Sequence, residues 1–266
     1  MNLQKYKIVL PNMVTSVSIL AGLFAIFFTF EEPVAQNGGF YTFSCWLIIF
    51  AAIVDGLDGK VARLTHSSSE FGIQYDSIAD VITFGVAATI VIFRQIFFNL
   101  IDDNRIFYLI PIFFLLCGAV RLARFNCSAT TKAKSGFTGL PIPVAACALV
   151  SLILFFEGWD CFLVPKFGLT GLPEEIKTRM MIGSVLLVSV LMVSQVKYDV
   201  TYMFLFNDIK KHPIRTTVLL LILGLTFWHP GLGFYVLSSF YILFGLVRAV
   251  FGTGPDNDDA NGVPSV

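Results

Sequence analysis

Apolar residues along this chain come in long runs separated by short polar stretches. A helix needs about 20 mostly apolar residues to cross the hydrocarbon layer of a bilayer. Eight segments meet that demand, at roughly 11–30, 40–62, 73–99, 106–126, 140–157, 179–196, 214–228 and 231–250. The seventh is short, and Trp228-His229-Pro230-Gly231 predicts a tight turn into the eighth, so the pair reads as a hairpin of tilted helices. The first run follows a polar, basic stretch, Met1 to Lys7, with no small-residue cleavage site, and reads as a retained first span. Beyond Gly252 the composition turns to Gly, Pro, Asp and Asn, which predicts a disordered tail over 253–266. The expected fold is all-α: a polytopic bundle of about eight transmembrane helices forming one membrane-embedded domain, 1–252.

Composition sharpens that picture. Hydrophobic residues make up 56% of the 266 positions and charged ones only 14%, against about 25% in soluble domains. The mean hydropathy is +0.79, so lipid is the expected solvent. The formal net charge of zero argues against a nucleic-acid partner. Five cysteines, Cys45, Cys117, Cys127, Cys147 and Cys161, contain no CxxC pair and read as buried small residues. The 28 phenylalanines read as lipid-facing bulk, and His66, His212 and His229 are isolated, as surface or structural residues are.

Charge placement predicts topology. Thirteen of the eighteen Lys and Arg fall at one end of the spans: Lys5, Lys7, Lys60, Arg63, Arg121, Arg124, Lys132, Lys134, Lys197, Lys210, Lys211, Arg215 and Arg248. The opposite loops carry Glu31, Glu32, Asp102, Asp103, Glu157, Asp160, Glu174 and Glu175. By the positive-inside rule the basic end, with both termini, faces the cytoplasm.

Four aspartates sit at that same end within apolar helices: Asp55 and Asp58 near the close of the second span, Asp76 and Asp80 near the start of the third. A carboxylate inside a membrane helix costs several kcal/mol, up to roughly 2.5–3.5 at the centre on insertion scales. Lys60 and Arg63 are too little nearby cation for four anions, so bound divalent metal is the economical compensation. Three- and four-residue spacing puts each pair on one face, about 60° and 40° apart. The short Leu64–Phe71 connection makes the two helices antiparallel neighbours whose faces can meet. All-oxygen ligation suits Mg2+ or Mn2+. Gly59, Ala62 and Gly72 clear space beside the acidic faces, and Arg63 can hold a phosphate or an aspartate. Intramembrane carboxylates also serve ion or proton pathways, so a transporter is the competing class.

The full pattern is Asp55, two residues, Asp58-Gly59, two residues, Ala62-Arg63, eight residues, Gly72, three residues, Asp76, three residues, Asp80. It resembles the signature of the CDP-alcohol phosphatidyltransferase family at every fixed position. The resemblance implies a six-helix core, here 8–200, with 213–252 as an added hairpin. It implies two divalent ions, Mg2+ or Mn2+, held by Asp55, Asp58, Asp76 and Asp80, with Asp80 also the general base. The CDP-lipid is implied to lie against Gly59, Ala62, Arg63 and Gly72. A Pro11-Asn12-x-x-Thr15 element resembles a further nucleotide contact, although helix N-capping suits Asn12 and Thr15 equally. A loop hydroxyl, Ser69 or its neighbours Ser67 and Ser68, is a phosphate contact by the same resemblance. The family's habit implies a homodimer.

The acceptor is less sharply written. Arg121-Leu-Ala-Arg124-Phe-Asn126 and Phe137-Thr-Gly-Leu-Pro141-Ile-Pro143 resemble segments of the serine-accepting, integral-membrane branch of that family, and Ser194-Gln-Val-Lys197-Tyr198 does so more loosely. Arginine binds a carboxylate bidentately, and Asn126 can accept from an ammonium group. Arg121, Arg124 and Asn126 are therefore the expected L-serine contacts. Inside-positive anchoring is the alternative for both arginines, and a phosphorylated acceptor such as glycerol 3-phosphate or inositol phosphate would suit them as well. The expected activity is transfer of phosphatidyl from CDP-diacylglycerol to L-serine at the cytoplasmic face of a cell membrane.

Overall fold

Helix after helix follows the apolar runs. The computed structural model describes residues 3–31, 39–65, 70–99, 105–130, 139–159, 171–196, 198, 221 and 223–251. Side chains are described throughout these except at 3–11, 39–40, 58–65, 97–99, 105–106, 128–130, 248 and 250–251. In chain order come α1 (Leu3–Glu31), α2 (Gly39–Thr65), α3 (Glu70–Asp80), a π-helical segment (Val81–Ala87) and α4 (Ala88–Asn99). A 3-10 turn (Arg105–Tyr108) leads into α5 (Leu109–Thr130), followed by α6 (Ile142–Gly158), α7 (Glu174–Val193) and α8 (Pro230–Phe251). No strand occurs among the described residues.

Five stretches are long and apolar enough to cross a membrane: Asn12–Glu31, Glu70–Ile96, Leu109–Cys127, Glu174–Val193 and Pro230–Val247. Tyr41–Leu57 and Ile142–Gly158 are shorter apolar helices. The protein is a multi-pass, all-α integral membrane bundle. The expected seventh span lies largely outside the described residues; of it, 221 and 223–228 are helical, and the non-helical His229 separates them from α8. The expected tail, 253–266, also lies outside them.

Two boundaries differ from the hydropathy reading. Helix α1 starts at Leu3, well before Pro11, because Leu3, Ile8, Val9 and Leu10 extend the apolar pattern and the fixed φ of proline is compatible with a helix. Helix α7 starts at Glu174 rather than near 179. Its first turn is charged, which hides it from a hydropathy window. Glu174 and Glu175 complement the helix N-terminus, and each pairs within the helix, Glu174 with Lys177 at 2.6 Å and Glu175 with Arg179 at 2.5 Å.

Helix α6 is apolar all round, as a central helix must be. Ala145, Ala146, Leu149, Val150, Leu152 and Ile153 are all buried. It packs against α2, α4, α7 and α8. Helix α1 is two-sided. Met13, Val17, Leu20, Phe24 and Phe27 face outward, while Thr15, Ser18, Ala21, Ala25 and Thr29 are buried. Small residues on that inner face let backbones approach closely. At Gly22 a methyl group would lie 2.9 Å from Thr83 Cα in the π-helical segment, so any side chain there would force the helices apart.

The link before α6 is held by backbone bonds. Gly139 has φ +87°, where only glycine is unstrained, and donates to Val196 O at 2.8 Å. Leu140 donates to Leu191 O at 3.1 Å. The Gly-Leu-Pro run therefore fastens the start of α6 to the end of α7.

Candidate active site

The start of α3 and the ends of α2, α5 and α7 share one end of the bundle, and the acidic residues lie there. Helix α1 packs against both α2 and α3 and stands beside both acid-bearing helices. Ser16 Oγ of α1 lies 2.8 Å from Tyr75 Oη, next to Asp76, and Thr83 Oγ1 donates to Ser18 O at 3.2 Å. Ser18 Oγ in turn points to Ala51 O of α2 at 3.5 Å. These bonds tie α1 to α3 at Tyr75, to the π-helical segment at Thr83 and to α2 at Ala51.

Asp55, Asp76 and Asp80 are half-buried, and the Oδ1 atoms of Asp76 and Asp80 are fully so. Asp55 lies within electrostatic reach of Cys147 on α6. Asp80 is within electrostatic reach of Arg121 on α5. Among the described residues no three His, Cys, Asp or Glu side chains gather into a ligand cluster. Of Asp58, Gly59, Ala62 and Arg63 only the helical backbone is described, and Ser69 lies outside the described residues. The donor set itself is oxygen-only, anionic and partly withdrawn from solvent, which fits a hard divalent cation and not a soft one.

Asn12 and Thr15 lie well inside α1, which begins at Leu3, so neither caps that helix. Thr15 is buried, and Asn12 O accepts from Ser16 Oγ at 2.7 Å. Gly72 lies in the first turn of α3, half-buried.

The three residues expected at the acceptor divide. Asn126 reaches α3: its Nδ2 donates to Ser77 Oγ at 3.1 Å, beside Asp76. Arg124 donates to Val193 O and Ser194 O, both at 3.2 Å, and so closes the C-terminus of α7, whose last carbonyls need donors. Arg121 is only 8% exposed, too buried for interfacial snorkelling. Its guanidinium lies over the Phe125 ring, 5.7 Å from the centroid, and its Nε has no hydrogen-bond partner among the described residues.

Sequence reasoning passed over Ser16, Tyr75, Ser77 and Tyr241. Hydroxyls spaced along apolar helices carry no local signal of which neighbour they meet. Cysteines follow expectation at Cys45 and Cys117, which are buried, but Cys127 is exposed at the end of α5, and Cys161 lies outside the described residues. Burial pushes the Tyr198 phenol, just past α7, up to about 12.

The model of the CDP-alcohol phosphatidyltransferase family matches residues 8–190. The chain belongs to that family. It is accordingly an enzyme, a transferase, and the match covers α1 to most of α7 while leaving Tyr198 and α8 outside. The chain is 34% identical over 241 residues, 91% of each chain, to a CDP-diacylglycerol–serine O-phosphatidyltransferase of Helicobacter pylori strain J99. A protein of the same name from Methanocaldococcus jannaschii is 30% identical over 249 residues, 92% of this chain and 96% of the relative. An archaetidylserine synthase of Methanothermobacter thermautotrophicus is 34% identical over 193 residues, 72% of this chain and 70% of the relative.

Proposed function

We propose that this member of the family transfers the phosphatidyl group from CDP-diacylglycerol to L-serine, giving phosphatidylserine and CMP. The observation that carries the reading is the position of Arg121: a buried guanidinium within electrostatic reach of the Asp80 carboxylate. A fixed positive charge next to a base is what an acceptor with both a hydroxyl and a carboxylate requires. The names of the relatives point the same way.

In this reading Asp55, Asp58, Asp76 and Asp80 hold two divalent ions, Mg2+ or Mn2+, which when bound supply positive charge to the pyrophosphate and the departing CMP. Asp80 takes the proton from the serine hydroxyl as its oxygen attacks the phosphorus bearing the diacylglycerol. The bond from that phosphorus to the bridging oxygen breaks, and the electron pair leaves with CMP. Asn12, Thr15, Gly59, Ala62, Arg63, Ser69 and Gly72 form the side on which the CDP-lipid lies. Arg121 binds the serine carboxylate, Asn126 meets its ammonium, and Arg124 keeps the end of α7 in place beside them. Holding the hydroxyl in line supplies much of the rate.

The wider assignment follows charge and packing. The basic end, with the site and both termini, faces the cytoplasm of the cell membrane. Residues 1–252 form one catalytic domain, a core over 8–200 with the 213–252 hairpin packed on it, and 253–266 a cytoplasmic tail. The chain works as a homodimer in lipid.

CMP release from CDP-diacylglycerol by purified protein in detergent tests the reading. Release is expected to require serine and divalent metal, and to stop on chelation with EDTA. Release with glycerol 3-phosphate or inositol phosphate in place of serine would keep the chemistry and remove the acceptor assignment. No release with any acceptor, from folded protein, would turn attention to transport.

A further inference from the structure

Helix α8 lies beyond the stretch that the family model covers, yet it is built into the bundle. Its Ser238 Oγ lies 3.3 Å from Ser151 Oγ at the buried heart of α6, and the Tyr235 ring stacks on Phe155 with centroids 5.1 Å apart. Toward the catalytic end the same helix carries Tyr241. The Tyr241 ring lies 5.7 Å from that of Tyr198, and Tyr241 is within electrostatic reach of Arg121. One turn on, Gly245 has no side chain because the Tyr198 ring fills that space; a methyl group there would overlap it.

Two polar groups at this place are deeply buried and undersupplied. Tyr198 is 2% exposed, and its hydroxyl has no hydrogen-bond partner among the described residues. The Nε of Arg121, on a side chain 8% exposed, is in the same condition. Buried donors are normally satisfied, and these two, with Tyr241 in ring contact with the one and within electrostatic reach of the other, ask for a ligand. Asp80 is within electrostatic reach of Arg121, so a ligand on Arg121 would lie on the same side of the bundle as the proposed base.

We propose that Tyr198 and Tyr241 complete the acceptor subsite, the Tyr198 hydroxyl and Arg121 together binding the anionic end of the acceptor alcohol while Tyr241 packs between them. The proposal rests on the assignment of Arg121 to the acceptor. With serine the anionic end is the carboxylate: the guanidinium and the phenol O–H donate to its oxygens. The phenol stays protonated throughout the neutral range, since burial raises it to about 12. The task of α8 is then to close the acceptor side of the site. A subsite built to donate a hydrogen bond discriminates by that bond, since a ligand without the matching acceptor leaves the buried donor unmet.

The test uses the full-length protein in detergent micelles. CMP release gives KM for serine and for CDP-diacylglycerol, and a thermal unfolding midpoint is taken for each variant. Tyr198→Phe is expected to raise the serine KM about tenfold, with the KM for CDP-diacylglycerol and the midpoint unchanged. Gly245→Ala, which displaces the ring, is expected to shift the serine KM in the same direction. An unchanged serine KM in folded Tyr198→Phe would overturn the proposal. So would a parallel rise of both KM values with a lowered midpoint, which marks a structural role. Failure of the acceptor reading shows separately, in the wild type: release with glycerol 3-phosphate but not serine removes the serine assignment, and the same split is then read on that alcohol's KM. A wild type that releases no CMP with either acceptor overturns both.

Discussion

Two buried arginines sit toward opposite ends of this bundle, and they are used differently. Arg94 on α4 donates to the Thr29 carbonyl of α1 and lies over the Tyr41 ring of α2, 5.0 Å from its centroid. Tyr41 Oη goes on to Gln95 Oε1 at 2.9 Å and to Val91 O at 3.3 Å. That guanidinium is committed to tying three helices together. Arg121 is equally buried, but its Nε finds no hydrogen bond among the described residues; its guanidinium lies over the Phe125 ring, with Asp80 and Tyr241 within electrostatic reach. Burial alone therefore does not mark a functional charge. What separates the two is whether the protein itself spends the donors.

The contrast can be broken by substitution. Asp80→Asn should have the largest effect, cutting CMP release about 10²- to 10⁴-fold if it is the base, with no loss of thermal stability. Arg121→Met should lower kcat/KM for serine about 100-fold, some 2.7 kcal/mol, while the unfolding midpoint holds or rises, because a poorly paired buried charge is being removed. Arg94→Met should do the reverse: a loss of about 2 kcal/mol in stability with the KM for serine unchanged in the folded fraction. Tyr41→Phe should be smallest, about 1 kcal/mol of stability for the lost bond to Gln95, with kinetics intact. If Arg94→Met raised the serine KM as Arg121→Met does, the distinction between the two ends would collapse.

The helices were legible because lipid imposes a blunt rule: about 20 apolar residues per crossing. The family was legible because Asp55 through Asp80 are costly residues at fixed spacing. The charged first turn of α7 was misread because Glu174 and Glu175 look like loop in a hydropathy window, although they satisfy a helix start. The different surroundings of Arg121 and Arg124 were not separable from sequence. They stand three residues apart on one helix, and only the position of the α7 terminus shows that Arg124 is occupied with carbonyls. Tyr241 was invisible for a similar reason, and Tyr198 stood out only as the end of the Ser194–Tyr198 element: their meeting depends on a glycine at 245 and on how α8 docks, and neither is a local property.

The π-helical turn that follows Asp80 gives the third crossing two independent azimuths. An extra residue accommodated in Val81–Ala87 sets the lower half, with Asp76 and Asp80, in its own phase relative to the upper half, with Arg94. Relaxing that turn to an ordinary helix with all its residues in place would swing the acids by about 100° against the rest of the crossing. The same membrane helix would then keep its anchor and misplace its acids, so the wide turn is an indexing joint between the half that carries Arg94 and the half that carries the aspartates.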